Sequence, residues 1–333
     1  MSAPIDSKMG EFDLIARYFA PIAAAFPGAL GLKDDAALFD PPAGSRLVVT
    51  ADAMVAGVHF LPDDPPDLIA RKLMRVNLSD LAAKGATPYA CLLTLSLPKG
   101  TEEGWIAAFA KGLAADAAEY GFPLAGGDTT STPGPLCLSL TAVGLVPQGR
   151  APLLRSGAKD GDLVFVTGTI GDAHLGLAVQ QGEFAGLAAE HRAALIERYR
   201  LPRPRVALGQ ALAAIPGVHA AADVSDGLAA DLGHICAASG LAAMLELAKL
   251  PLSPAASAAM AVADARARLL SGGDDYEIVF TAAAEAAPAI LAAAKRFEVE
   301  ATAVGRIAAG QGVTVIGADG AVISLVQKGY RHF

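Results

Sequence analysis

Apolar and polar positions along this chain switch between a period of two and a period near 3.6, and each switch marks a predicted strand or helix. Residues 46–50 form a short apolar run that predicts a buried strand. Residues 65–84 carry the helical period, with Gly85 placed to close the helix and Pro88 soon after. Residues 91–97 alternate as a strand does. Thr101, followed by Glu102 and Glu103, predicts the capped and acidic start of a helix reaching about Tyr120, where Gly121 can take the left-handed terminating conformation. Residues 136–146 predict a further strand.

Residues 147–161 are rich in Pro, Gly and basic side chains, which places a domain boundary near residue 147 and predicts domains 1–147 and 148–333. Beyond it, residues 162–167 predict a strand, Gly168-Thr169-Ile170-Gly171 a loop, and a helix starts near Asp172. Residues 220–224 predict a strand that passes through Ser225-Asp226-Gly227 into a helix with Leu228, Leu232 and Ile235 on one face. A similar pattern recurs at residues 271–277 ahead of the apolar Ile278-Val279-Phe280, and alanine-biased helices are expected near 255–265 and 282–294. Strands and helices are mixed throughout, so the expected class is α/β of the α+β type.

Composition narrows the function. A chain of 333 residues is long enough for two cores, and 53% hydrophobic with 18% charged residues describes a folded protein. Mean hydropathy is +0.42, yet no stretch approaches the ~18 uninterrupted apolar residues of a spanning helix. The N-terminal residues lack a basic start followed by an apolar core, so no membrane association and a cytoplasmic location are expected. Cys91, Cys137 and Cys236 are odd in number and form no CxxC pair, which argues against a disulfide framework or zinc knuckle. The net charge of −8 and the lack of a Lys/Arg cluster argue against nucleic acid as a partner. An acidic protein that binds a polyphosphate needs counter-charge, which divalent cations supply.

The candidate chemistry lies with the aspartates. Asp34-Asp35 precedes an apolar run, Asp52 is expected to end the first strand, Asp128 follows Gly126-Gly127, and Asp223 and Asp226 bracket a strand-to-helix turn. Asp80 shares a helix face with Ile69, Leu73 and Val76, making it an acid at the end of an apolar stripe. A buried carboxylate is tolerated when paired or bound to metal, and Arg71, Lys72 and Arg75 are equally well spaced to pair with it. Ser225 and Asp226 have a second reading as helix caps, and Asp34-Asp35 and Asp52 as turn residues. Jointly, acids beside small residues suit hard oxygen ligands for magnesium. Neither a GxxxxGK[ST] loop nor an HRD/DFG set is present. Residues 126–130 and 167–172 are candidate phosphate loops, with ordinary β-turn-α connections as the alternative.

Taken in order, the motifs resemble the thiamine-monophosphate kinases of the superfamily that contains aminoimidazole ribonucleotide synthetase. The ordered set comprises Gly10-Glu11-Phe12 with Leu14-Ile15, Asp34-Asp35-Ala36, Gly57-Val58-His59-Phe60, residues 76–82 (VNLSDLA), 126–130 (GGDTT), 155–159 (RSGAK), 223–228 (DVSDGL) and the ending 329–333 (GYRHF). The resemblance implies a two-domain fold of mixed sheets covered by helices. The N-terminal domain would bind ATP and Mg²⁺ and pair into a homodimer, and the C-terminal domain would complete the nucleotide and substrate sites. It implies phosphorylation of thiamine monophosphate by ATP through direct transfer, with several Mg²⁺ ions and no covalent catalyst. Carried over by motif, Asp35, Thr50, Asp52, Asp80, Asp128, Asp223 and Asp226 would hold magnesium. Arg155, Ser225 and the Gly127-Asp128 backbone would contact ATP. His59, Asp274 and Tyr330 would line the thiamine phosphate site, where an aromatic ring suits a cationic heterocycle.

Four positions depart from the family's usual pattern. Lys33 stands where Gly is usual, and Arg331 where an acid is usual. Ala51 replaces a Thr, so a metal contact there is limited to its carbonyl. Asp274 replaces a Glu and shortens the carboxylate by one methylene. Selenophosphate synthetases and hydrogenase-maturation proteins share the superfamily but rely on cysteines in an N-terminal loop or C-terminal tail, which this chain lacks. A noncatalytic nucleotide-binding paralogue is the alternative of a different class.

Overall fold

A computed structural model of the chain describes residues 10–262, 266–317, 319–323 and 329. The chain forms two compact units, Met1–Leu81 with Thr87–Gly149 and Ala82–Ala86 with Arg150–Phe333. The division falls inside the 147–161 stretch. The segment 82–86 joins the second unit because Gly209 lets a backbone pass against Ala82, where a β-carbon would lie 2.0 Å from its carbonyl oxygen. Lys84 Nζ also donates to the Ala221 carbonyl at 3.0 Å.

In the first unit, α1 (Glu11–Leu14) and α2 (Ala20–Ala23) flank a π-helical turn at Ile15–Phe19. There follow β1 (Ser45–Val55), α3 (Pro66–Ala83), β2 (Thr87–Pro98), α4 (Glu103–Tyr120), β3 (Leu124–Thr132) and β4 (Cys137–Pro147). The sheet order is β1-β4-β2-β3, antiparallel except for the β2–β3 pair. Val48, Thr50, Asp52 and Met54 of β1 face inward, while Leu47, Val49, Ala51 and Ala53 are exposed. The first strand thus runs on to Val55, and Asp52 sits within it and not at its end. Leu73, Met74, Leu78 and Leu81 of α3 are fully buried, and Gly85 beyond it has φ +68°. The α4 start differs from expectation. Glu102 takes the cap position, and the Thr101 hydroxyl donates instead to the Pro98 carbonyl at 2.7 Å. Gly121 does end α4 in the left-handed conformation, with φ +59°.

The second unit contains β5 (Leu163–Thr167), α5 (Asp172–Gln180), α6 (Ala189–Arg200), α7 (Val206–Leu212), β6 (Val218–Asp223), α8 (Leu228–Ser239) and β7 (Ala242–Glu246). It continues with α9 (Pro254–Val262), α10 (Arg266–Ser271), β8 (Ile278–Ala282), α11 (Ala287–Arg296), β9 (Ala301–Ala308), β10 (Gly312–Ile316) and β11 (Val322–Ile323). The seven-stranded sheet has the order β11-β10-β7-β9-β5-β8-β6 and is parallel only at β10–β7. Strands β5 and β8 are buried on both faces. Val164 and Val166 of β5 enter one core with Leu228, Leu232 and Ile235 of α8, and Phe165 enters the other, stacked on Phe280 at 5.3 Å. Helices on both faces therefore fix β6 and β8, whose ends carry the candidate residues.

Candidate active site

Within the first unit, Thr50, Asp52 and Asp80 come together. The strand period puts Thr50 and Asp52 on the same inward face, and the Thr50 hydroxyl donates to Asp80 Oδ2 at 2.5 Å. Burial, reinforced by the Asp80 charge, pushes the Asp52 carboxyl up to about 6. Of the bases spaced to neutralise Asp80, Arg71 and Arg75 bind the buried Asp116, at 2.7 and 2.6 Å, and both reach Glu119 at 3.0 Å. Lys72 Nζ donates to the His59 carbonyl at 3.0 Å. Two acids and a hydroxyl, all oxygen donors, with one carboxyl disfavoured as an anion by the other, fit a hard divalent cation.

Asp34, Asp35, Gly127 and Asp128 line a cavity of about 650 Å³ whose walls do not include that group. Residues 126–130, expected as a loop, belong to edge strand β3, where pairing with β2 sets Asp128 opposite Thr94 and in the row of Ser139 and Ala53. That row belongs to the exposed face, opposite to Asp52. β1 and β3 are the outer strands of the sheet, roughly 14 Å apart at 4.7–4.9 Å per strand. The acids of this unit thus form two groups. Phe12, Ile15 and Phe19 give the cavity an apolar wall, so it offers a surface for a planar ring beside polar groups at Gly127-Asp128. Asp34 accepts the Asp35 amide at 2.8 Å, and both residues are exposed. Lys33 has φ −114°, a conformation open to any residue, so the loss of the usual glycine leaves no backbone strain there.

His59 is half-buried on the turn after β1. The Val55 amide donates to its Nδ1 at 3.0 Å, which places the proton of the neutral ring on Nε2.

In the second unit, β6 ends at Asp223, which is buried, and the chain turns through Ser225 and Asp226 into α8. The capping alternative is not what forms. Gly227 holds the cap position, and the amides of Ser225, Asp226 and Gly227 donate to Asp231 Oδ2 at 3.0, 3.0 and 3.2 Å. The turn's amides are thereby spent internally, and the side chains of Ser225 and Asp226 are half-buried. Burial and the Asp226 charge push the Asp231 carboxyl up to about 7, and the Arg155 charge opposes that rise. Asp274 abuts the same turn, its amide donating to the Ser225 carbonyl at 2.9 Å. Arg155 is exposed. Tyr330, Arg331 and the rest of the 330–333 ending lie outside the described residues.

The second candidate phosphate loop, 167–172, is a structural connection. Gly168, Ile170 and Gly171 donate their amides to Glu300, Pro251 and Asp275, at 2.9, 3.0 and 2.7 Å, and the Thr169 hydroxyl binds Asp172. Asp231, Asp275 and Glu277 are buried acids beside the candidate residues that the sequence reading passed over. Their signal was an acid set against apolar neighbours, as with Asp80. Burial raises the Asp275 carboxyl well above the ordinary carboxylate range, against the pull of the Gly171 amide.

The chain matches the AIR synthase related protein family, the N-terminal domain over residues 33–146 and the C-terminal domain over residues 159–318. It is 46% identical to a thiamine-monophosphate kinase of Caulobacter vibrioides over 319 residues, covering 94% of this chain and 88% of that protein. The crystal structure of a thiamine-monophosphate kinase from Stenotrophomonas maltophilia K279a superposes with a TM-score of 0.82 at 45% identity, covering 92% and 98% of the two chains. AaThiL complexed with AMPPCP and TMP superposes with a TM-score of 0.77 at 29% identity, covering 98% and 97%. No helix among the described residues is long and apolar enough to cross a membrane.

Proposed function

This chain belongs to the thiamine-monophosphate kinases of the AIR synthase related family, and we propose that it transfers the terminal phosphoryl group of ATP to thiamine monophosphate, giving thiamine diphosphate and ADP. A phosphate oxygen of the acceptor forms the new P–O bond as the bond from the γ-phosphorus to the bridging oxygen of ADP breaks. Such a transfer needs positioning and charge neutralisation more than a side-chain nucleophile. The observation that carries this reading is the Thr50, Asp52 and Asp80 group, an all-oxygen set in which burial first, and the Asp80 charge second, disfavour the charge on Asp52. Bound Mg²⁺ would relieve that repulsion and neutralise phosphate charge.

Magnesium is assigned to Asp35, Asp52, Asp80, Asp128, Asp223 and Asp226, with Thr50 and the Ala51 carbonyl. ATP is assigned to the Gly127-Asp128 backbone, Arg155 and Ser225. For the acceptor, His59 offers its Nε2 proton to a phosphate oxygen, Asp274 offers an anion to the cationic thiamine, and Tyr330 is assigned by resemblance. A homodimer is supported by the exposed apolar face of β1, where Val49 is 59% exposed. ATP as cosubstrate agrees with a cytoplasmic location.

The test incubates purified protein with ATP, Mg²⁺ and thiamine monophosphate and quantifies thiamine diphosphate and ADP by chromatography. Stoichiometric formation of both is expected. Folded protein that makes no thiamine diphosphate would overturn the reading.

A further inference from the structure

The segment that carries Asp274 is held by two buried acids, Asp275 within a stretch of strained backbone and Glu277 just after it. Asp274 and Tyr276 have φ +73° and +51°, in the left-handed region that residues other than glycine rarely adopt. Between them Asp275, 1% exposed, accepts the Gly171 amide at 2.7 Å and the Ala173 amide at 3.3 Å, which ties it to the start of α5. Glu277 is fully buried. It accepts from Arg198 at 3.0 Å, from two nitrogens of Arg205 at 2.5 and 2.7 Å, and from the Thr167 hydroxyl at 2.7 Å.

The same segment is stitched to the turn that carries Ser225 and Asp226. Asp274 and Tyr276 donate their amides to the carbonyls of Ser225 and Val224, at 2.9 and 2.8 Å, and the Val224 amide donates to the Glu277 backbone carbonyl at 2.8 Å. A β-carbon at Gly273 would lie 2.2 Å from the Ser225 carbonyl oxygen, so the two segments meet backbone to backbone. Buried ion pairs contribute little net stability, because desolvation offsets their attraction. Strained backbone persists only where its surroundings over-determine it. A costly charge network fastened to a strained loop therefore accounts for position better than for stability.

We propose that Asp275 and Glu277 are positioning residues for the acceptor: they pin residues 273–276 so that Asp274 is presented in fixed register to Ser225 and Asp226. The proposal rests on the reading of Asp274 as part of the thiamine monophosphate site. It also gives a reason for aspartate where the family usually has glutamate, since Asp is among the residues that adopt left-handed backbone most readily.

The test is a double-mutant cycle on the full-length enzyme, with KM for thiamine monophosphate, KM for ATP and Tm measured for Asp274→Ala, Asp275→Asn and the pair. Asp275→Asn is expected to raise KM for thiamine monophosphate about tenfold while leaving KM for ATP within about twofold. Added to Asp274→Ala, it is expected to change KM for thiamine monophosphate little further, because the residue through which it acts is gone. Multiplying effects in the double variant, or parallel rises in both KM values, would overturn the proposal and leave the role of Asp274 intact. An unchanged KM for thiamine monophosphate in Asp274→Ala would instead remove the premise, and the proposal with it. Should Asp275→Asn fail to fold, Arg205→Lys takes its place. It keeps a cation against Glu277 but loses the two-pronged contact, and the same pattern in the cycle is expected and the same outcomes overturn it.

Discussion

At Asp52 the chain places a carboxyl where burial and the neighbouring Asp80 both disfavour its charge, raising it from an ordinary 3.8 to about 6. A folded-state pKa above the unfolded one means that the folded protein binds the proton more tightly. The associated stability is fully present below about 3.8 and is lost as pH rises through about 6. Asp231, raised from 3.8 to about 7, acts in the same direction over a slightly wider range. Metal-free protein is therefore expected to lose melting temperature between about pH 4 and about pH 7 from these groups, and Mg²⁺ to recover part of the loss by binding the charged forms. Asp52→Asn removes the disfavoured charge at nearly constant volume. It should raise the metal-free Tm at pH 8 and lower turnover by about a hundredfold or more, a trade of function against stability. Thermal melts in EDTA and in Mg²⁺, with turnover measured alongside, check both halves. A lower metal-free Tm would contradict the disfavoured charge at Asp52, and turnover equal to the parent would contradict its metal role.

Strand β3 is the element on which sequence and structure differ most. Residues 124–132 lack apolar alternation, and Gly126-Gly127 reads locally as a loop. The segment becomes a strand because β2 supplies a parallel partner, a long-range fact that local pattern does not contain. Gly127 makes that pairing possible, since a β-carbon there would lie 1.8 Å from the Leu93 carbonyl oxygen. Gly127→Ala is expected to cost about 2 kcal/mol or more and to weaken ATP binding, as urea unfolding and calorimetric titration would show. An alanine variant as stable as the parent would mean that β3 can shift without consequence. Elements set by local chemistry were legible. The apolar stripe of α3 and the left-handed Gly121 at the end of α4 follow from period and residue type alone. The cap at 101–102 was not, because Thr101 turned to the Pro98 carbonyl instead. Among the site residues, Asp80 was visible as an acid on an apolar helix face. Asp275 was not, since the amide it holds at Gly171 is 104 positions away.

On the scale of the whole molecule, β1 leaves an apolar face exposed at the edge of its sheet. It is an edge strand of eleven residues, and its outward face carries Leu47 and Val49, 42% and 59% exposed, together with the exposed Ala51 and Ala53. Long exposed edges with apolar faces invite pairing with another chain, and contiguous apolar patches mark interfaces. A second copy of the same chain, related by two-fold symmetry, covers such a face without any other partner. Light scattering of the purified protein is therefore expected to give about twice the 33.7 kDa of one chain. Val49→Glu places a charge at the most exposed large apolar residue of β1 without touching the inward residues Thr50 and Asp52. It is expected to shift the mass toward that of one chain, with each chain still folded by circular dichroism. A parent protein that elutes as a monomer at micromolar concentration would overturn the dimer. A Val49→Glu variant that remains dimeric would move the interface off this face.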